Sequence, residues 1–276
     1  MMSVSAERIS YDELEELIIW INHIHGFDFT GYSRASLKRR VTRIMDMYGL
    51  ELFDLKGILV NDHHFFEEFV VEITVNVTEM FRDPSFFRSV KEKVVPYLSS
   101  FPRVKVWNAG CSTGEESYSF AILLKQEGLL DRSFLYGTDV NPRVLEAAKT
   151  GVYPLPSMKQ YSENYLLTGY PGSMSDYYTA QYDAAAIHHE LKKNTLFSVH
   201  NLVSDGVFNE FQVVSCRNVL IYFNSDLQRK VLQLFYDSLC SFGFLCLGAK
   251  ESLRSFDSAG KFRVVDKSEN IYQKIG

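Results

Sequence analysis

The run Val104-Lys105-Val106-Trp107-Asn108-Ala109-Gly110-Cys111-Ser112-Thr113-Gly114-Glu115-Glu116 carries an apolar strand through a tight turn into a helix. Glycines at Gly110 and Gly114 let the backbone come close to a ligand at the carboxyl edge of a sheet. The run departs from the dinucleotide fingerprint in two ways. Its glycines are spaced G-x-x-x-G instead of G-x-G-x-x-G, and Glu115 and Glu116 stand at the helix start, where a pyrophosphate would have to sit. A nucleoside cofactor that lacks phosphate and carries cationic groups suits that edge better, and S-adenosylmethionine meets all three conditions.

On the C-terminal side, residues 134–138 read as a second strand that ends in Gly137-Thr138-Asp139. An acid at that tip is the usual grip on ribose hydroxyls, so Asp139 is the ribose candidate. It is also readable as the cap of a helix opening at Pro142. Helices over 115–126 and 143–149 alternate with these strands, and strands at 211–215 and 244–247 flank a helix at 225–239, which together predict an α/β fold with a parallel sheet. The tail, 262–265 and 270–274, reads as a closing hairpin. Residues 153–194, with Pro154, Pro156, Pro171 and several tyrosines, break the alternation and predict an inserted small subdomain.

On the N-terminal side, about ninety residues read as helical. Ser10 and Glu13 make a capping box, and Leu14, Leu17, Ile18 and Ile21 follow on one helical face. A second helix from about Ser33 has Leu37, Val41, Ile44, Met45 and Tyr48 on its apolar face and Arg39, Arg40 and Arg43 on the opposite one. A solvated exterior is the plain reading of three arginines; in an acidic chain they also suit docking to an acidic partner.

The 276 residues are 46% hydrophobic and 23% charged, ordinary globular values. With 34 acidic residues against 29 Lys and Arg, the net charge of −5 gives no general attraction to nucleic acid or to an anionic membrane. Four cysteines without a C-x-x-C pair indicate neither a zinc knuckle nor a disulfide framework, and they fit a reducing cytoplasm. The adjacent pairs His63-His64 and His188-His189 project in different directions on a helix or strand, which argues against a metal site. The N-terminus lacks the basic and apolar regions of a signal peptide, and no apolar run has the length of a membrane span.

Six blocks stand together in order: Asn76-Val77-Thr78-Glu79-Met80-Phe81-Arg82-Asp83, Ala109 through Ser119, Thr138-Asp139, Gly151-Val152-Tyr153, Asn201-Leu202, and Cys216-Arg217-Asn218-Val219-Leu220-Ile221-Tyr222-Phe223. In these the chain resembles the CheR-type chemotaxis receptor glutamate O-methyltransferases from about Leu14 to the C-terminus. Met80 stands where that family usually has an aromatic, Ser117 where proline is common, and Gly137 where alanine or serine is common. The resemblance implies a Rossmann-like S-adenosylmethionine-dependent methyltransferase sheet with a small all-α N-terminal domain and an inserted β-subdomain. The division would be residues 1–90 for receptor recognition and 91–276 for methyl transfer, with the insertion at about 156–194.

By the same resemblance Asn76, Thr78, Arg82, Glu116, Asp139, Asn201, Leu202, Arg217 and Asn218 would line the cosubstrate site, and Arg82 and Tyr222 would stand closest to the transferred methyl. Arg39, Arg40 and Arg43 would face the methylation helices of a transmembrane chemoreceptor; in some members the β-subdomain also docks a peptide from the receptor C-terminus. The implied product is S-adenosylhomocysteine, with no metal, no nucleic acid and no membrane insertion. A substrate glutamate, with a reference pKa of about 4.3, is already a nucleophile at neutral pH and needs no general base. A non-catalytic S-adenosylmethionine-binding regulator is the alternative. A nicotinamide oxidoreductase is disfavoured by the glycine spacing, and a nucleic-acid amino-methyltransferase by Cys216-Arg217-Asn218-Val219 where an (Asp/Asn)-Pro-Pro-aromatic motif would stand.

Overall fold

Ser10 accepts from the Glu13 amide at 3.1 Å while the Glu13 carboxylate accepts from the Ser10 amide at 2.8 Å, so the first helix, α1 (Tyr11–His25), starts where its capping box predicts. Helix α2 (Arg34–Tyr48) follows, then α3 (Leu52–Asn61) and α4 (His63–Thr74). The apolar faces read from spacing are buried except at one position: Leu14, Leu17, Ile18 and Ile21 on α1 and Leu37, Val41, Ile44 and Met45 on α2 are buried, whereas Tyr48, in the last turn of α2, is exposed. They share a core with Phe29, Leu55, Leu59, Phe66, Phe69, Val70 and Ile73. The computed structural model describes residues 8–74 and 77–276, and the chain clusters into two units. The smaller unit combines these four helices with Tyr222–Gln228; the larger holds the rest.

In the larger unit, α5 (Pro84–Ser89) and α6 (Val95–Leu98) lead to β1 (Val104–Ala109), α7 (Glu115–Gln126), β2 (Ser133–Asp139) and α8 (Pro142–Thr150). After them come β3 (Val152–Pro154), α9 (Ser157–Leu167), β4 (Tyr178–Gln181), β5 (Ala184–Ile187), α10 (His189–Lys192) and β6 (Thr195–Val199). The chain continues through β7 (Phe211–Cys216), α11 (Ser225–Ser238), β8 (Leu239–Leu247), β9 (Phe262–Asp266) and β10 (Ile271–Lys274).

The main sheet has seven strands in the order β6-β2-β1-β7-β8-β10-β9. The pairings from β6 through β8 are parallel; β10 and β9 close the sheet antiparallel, as the tail hairpin predicts. From β1 the chain moves outward through β2 to β6, then returns to β7 on the other side of β1. That reversal makes the β1/β7 boundary a topological switch point, where open α/β sheets bind ligands. Trp107 is fully buried among Phe208, Phe211 and Phe235, and its indole N–H donates to Thr138 Oγ1 at 2.8 Å, which locks β1 to β2 below that boundary.

The insertion carries the expected small antiparallel sheet, with a helix added to it. Its three-stranded sheet, β3-β5-β4, starts at Val152, and the helix α9 occupies much of the segment between its first two strands. The helical signal was present: Met158, Tyr161 and Tyr165 fall at i, i+3 and i+7 and are all buried. Helices α5 and α6 pack with the larger unit, where Phe86, Phe87, Val94 and Leu98 join the core against Phe120 and Val106.

Candidate active site

The edge is built from the turn that follows β1. Gly110 has φ +74°, and a Cβ there would lie 2.5 Å from Val219 Cγ2, so both the conformation and the space require glycine. The Gly110 and Cys111 amides both donate to Thr138 O, at 2.8 and 2.9 Å, which holds the turn against β2. The next amide, Ser112, donates to Asp139 Oδ2 at 2.9 Å, and the Asn141 amide donates to Oδ1 at 3.0 Å. Helix α8 is capped by Asn141, whose side chain accepts from the Arg143 amide; Asp139 is not the cap. Burial pushes the Asp139 carboxyl up, opposed by these backbone donors. Each of its oxygens keeps a lone pair for a further donor.

Gly137 is explained by its neighbour across the sheet: a Cβ there would meet the Phe197 ring at 2.5 Å and Cys111 Sγ at 3.1 Å. An alanine or serine there would force Phe197 aside.

At the switch point, Glu116 collects three donors: Ser215 Oγ at 2.6 Å, Arg217 Nη1 at 3.0 Å and Asn108 Nδ2 at 3.1 Å. Asn108 on β1 and Ser215 on β7 are register partners, so the two strands present their donors side by side. Arg217 has its side chain 2% exposed, lies 3.9 Å over the Phe86 ring, and sends Nη2 to Asp83 Oδ2 at 2.7 Å and to Arg82 O at 3.3 Å. Residues on either side of Arg82 are in the left-handed region, Phe81 at φ +53° and Asp83 at φ +55°. The Phe81 amide is held by Ser119 Oγ at 2.9 Å, and Arg82 Nη1 donates to Val77 O at 3.1 Å. Thr78 lies half-buried in the same loop; Asn76 falls outside the described residues.

The two glutamates at the start of α7 are not two free negative charges. Glu116 is paired as above. Glu115 is buried, receives Thr113 Oγ1–H at 2.6 Å and Tyr161 O–H at 3.2 Å, and burial pushes its carboxyl up to about 7. With Tyr153 O–H donating to Thr113 O at 2.8 Å, two tyrosines bolt the insertion to the glycine turn.

Asn201 and Leu202 follow β6, whose next residue, His200, donates its amide to Asp139 O at 3.1 Å. Leu202 is buried, and Asn201 Oδ1 accepts from the Val203 amide at 2.9 Å, an Asx turn. Asn218 sits past β7 at φ +63°. The larger unit thus brings Arg82, Glu116, Asp139, Asn201, Leu202, Arg217 and Asn218 to the carboxyl ends of neighbouring strands.

Tyr222 belongs to the smaller unit, where its carbonyl accepts from the Ser33 amide at 2.7 Å and the Arg40 guanidinium lies 5.1 Å over its ring. The three arginines of α2 therefore do not share one solvated face. Arg39 and Arg43 are exposed, Arg43 with Glu72 at 3.8 Å, whereas Arg40 is half-buried, bonded to Ser36 Oγ and Glu72 O. Helix periodicity placed Arg40 outside; its long side chain bends back over Tyr222, a contact set by chain folding.

Three site residues escaped the sequence reading. Ser215 looks like an ordinary β-strand position, Asn108 hides inside the apolar run, and Glu251, described below, is remote in sequence. Among the described residues no cluster of three or more His, Cys, Asp or Glu could hold a metal ion.

Residues 76–271 match the family described as CheR methyltransferase, SAM binding domain, and residues 12–74 match CheR methyltransferase, all-alpha domain. The chain belongs to the CheR methyltransferase family. It is 45% identical to the Pseudomonas putida protein named Cher3, over 98% of this chain and 100% of that one. It is 30% identical to the chemotaxis protein methyltransferase of Listeria innocua, over 83% and 85% of the two chains, and 26% identical to that of Borreliella burgdorferi, over 89% and 90%. The chain is thus an S-adenosylmethionine-dependent methyltransferase of the chemotaxis type. The edge suits that cosubstrate on its own geometry. Ser112 Oγ, Asn108 Oδ1 and Asn141 Nδ2 are buried polar atoms without a protein partner beside Asp139 and Glu116.

Proposed function

We propose that this methyltransferase esterifies glutamate side chains of chemoreceptors and so sets receptor sensitivity in sensory adaptation. What carries the reading is an edge made for binding and positioning, with no hydrogen-bonded histidine–carboxylate pair among its described residues. Asp139 is tied to backbone amides and Glu116 to Arg217, Glu115 is bonded to the Thr113 and Tyr161 hydroxyls, and the neighbouring His200 bonds Gly206 O through Nε2 at 3.1 Å and packs on Trp107. A carboxylate acceptor, ionised at neutral pH, is the nucleophile that needs nothing more.

When bound, S-adenosylmethionine supplies an electrophilic sulfonium methyl: the acceptor oxygen forms the new O–C bond as the C–S bond breaks, and S-adenosylhomocysteine leaves. The chain's own task is alignment, worth roughly 7 to 11 kcal/mol for a well-oriented pair. Asp139 holds the ribose; Asn201 and Leu202 flank the adenine; Glu116 and Arg217 together with Asn76, Thr78 and Asn218 orient the remainder. Arg82 orients the acceptor carboxylate and Tyr222 positions the methyl. The backbone of Arg82 is fixed by Arg217 through its carbonyl, which steadies the residue for that task.

The partner follows from the surface. Exposed Arg39 and Arg43 on α2 suit helices bearing rows of glutamate. Strand β4, at the rim of the small sheet, suits addition of a receptor-tail strand. Such a partner places the protein in the cytoplasm. The test is to incubate the protein with radiolabelled cosubstrate and host membranes. Alkali-labile label on a receptor band supports the carboxylate ester, and alkali-stable label moves the acceptor to nitrogen or sulfur.

A further inference from the structure

We propose that Glu251 is a positioning residue for methyl transfer: its buried carboxylate folds the loop from Arg217 to Tyr222 and so sets the side chains at both ends. This role rests on the function proposed above. Glu251 is 6% exposed. Its Oε2 accepts the amides of Gly248 at 2.6 Å and Asn218 at 3.0 Å, and its Oε1 accepts those of Val219 at 2.8 Å and Ile221 at 3.3 Å. Asn218 in the left-handed region turns successive amides inward to meet the anion, the arrangement of a backbone nest. Gly248 is the complementary device. A Cβ there would lie 2.7 Å from Glu251 Oε2 and 2.8 Å from the Asn218 amide nitrogen, so the two loops approach only because that residue is glycine.

The carboxylate is suited to this task by its chemistry. It offers about four acceptor sites and no donor, whereas a glutamine amide would turn an N–H₂ group toward amides that are already donors. With its oxygens filled by backbone, Glu251 acts through the loop and not on the reactants. One end of the loop is Arg217, which holds Glu116, Asp83 and Arg82 O; the other is Ile221, whose carbonyl carbon is bonded to the Tyr222 nitrogen.

The experiment compares the full-length wild type with Glu251→Gln, each with and without Tyr222→Phe. Readouts are amide exchange at Asn218, Val219 and Ile221 in the protein alone, S-adenosylhomocysteine affinity, and kcat and KM for receptor methylation per S-adenosylhomocysteine-titrated site. Faster exchange at those three amides is expected, with kcat lowered about ten- to hundredfold and KM for receptor unchanged, the cost of a reactant misplaced by about 1 Å. In the Tyr222→Phe background the same change should lower kcat much less, because the hydroxyl it positions is gone. If Glu251→Gln does not accumulate folded, Gly248→Ala, which keeps the carboxylate and displaces it, is read by the same criteria. Unchanged kcat per titrated site, or an undiminished effect beside Tyr222→Phe, overturns the role. A wild type that transfers no methyl overturns the function and this role with it; an active wild type with an unaffected variant overturns this role alone.

Discussion

Asp139 and Glu115 are both buried acids at one turn, yet their partners give them opposite tasks. Asp139 receives two backbone N–H groups, which favour its charged form, and it keeps lone pairs for a ligand. Replacing it by Asn preserves shape and removes the charge, which should weaken S-adenosylhomocysteine binding by about 1.5 to 3 kcal/mol, the worth of a hydrogen bond to a charged acceptor. Calorimetric titration measures this, and unchanged affinity in a folded variant removes Asp139 from the site. Glu115 is bonded to the Thr113 and Tyr161 hydroxyls, and burial raises it from 4.5 to about 7. Its folded state therefore binds more protons than the unfolded chain between those values. The stability this group contributes is full below about pH 4.5 and lost as pH rises through about 7. Glu115→Gln mimics the protonated form, so its stability advantage over wild type should grow from pH 5 to pH 8 by up to about 3 kcal/mol and then level off. Urea unfolding at several pH values reads it, and a pH-independent difference would show that Glu115 is ionised throughout.

At the scale of elements, α2 carries one packed arginine and two exposed ones that its sequence merges into a single basic face. Arg40 is turned inward over Tyr222, so reversing its charge would disturb a docking surface and a packed ring together. Arg39 and Arg43 isolate the proposed docking role, because both are exposed. Arg39→Glu with Arg43→Glu should slow receptor methylation sharply and leave S-adenosylhomocysteine affinity constant. Wild-type activity should fall as salt rises, since exposed charges are screened over about 8 to 10 Å near physiological ionic strength, and the double variant should lose that sensitivity. Initial rates against receptor concentration at two salt levels decide it; equal rates and equal salt response would leave the arginines as solvated surface, the outcome typical of exposed charges.

At the scale of the whole molecule, a late stretch of chain belongs with the N-terminal helices. Tyr222–Gln228 comes late in the sequence and clusters with the N-terminal helices. There the Ser33 amide donates to Tyr222 O at 2.7 Å, the Asn224 amide donates to Gly31 O at 2.8 Å, and Phe223 packs edge-on against Tyr32. A chain beginning at Val77 keeps the seven-stranded sheet and every described cosubstrate candidate of the larger unit, but strips those partners from Tyr222. It should bind S-adenosylhomocysteine and transfer no methyl. Calorimetry and the receptor assay on one preparation test the pair of outcomes, and transfer at the wild-type rate would show that Tyr222 is held by its own loop.

Local physics decided much of this protein within the sequence itself. The capping box at Ser10, the helical spacing on α1 and α2, and the glycine turn after Val104-Lys105-Val106-Trp107 specify elements through contacts a few residues apart, and these elements form as the spacing predicts, with only Tyr48 leaving the buried face of α2. The acid at the tip of β2 was legible for the same reason. What required the tertiary structure is whatever depends on where the chain returns. The edge strand β6 is five residues with a mostly exposed pattern, and only its pairing with β2 defines it. Arg40 has the periodicity of a solvent-facing residue until Tyr222 arrives beneath it. Glu251 is an unremarkable acid in sequence and becomes the anchor of the Asn218 loop because folding brings backbone amides from 30 to 33 positions away onto one carboxylate. Periodicity records which way a side chain leaves its own helix or strand; it holds no record of which distant N–H or ring will be waiting there.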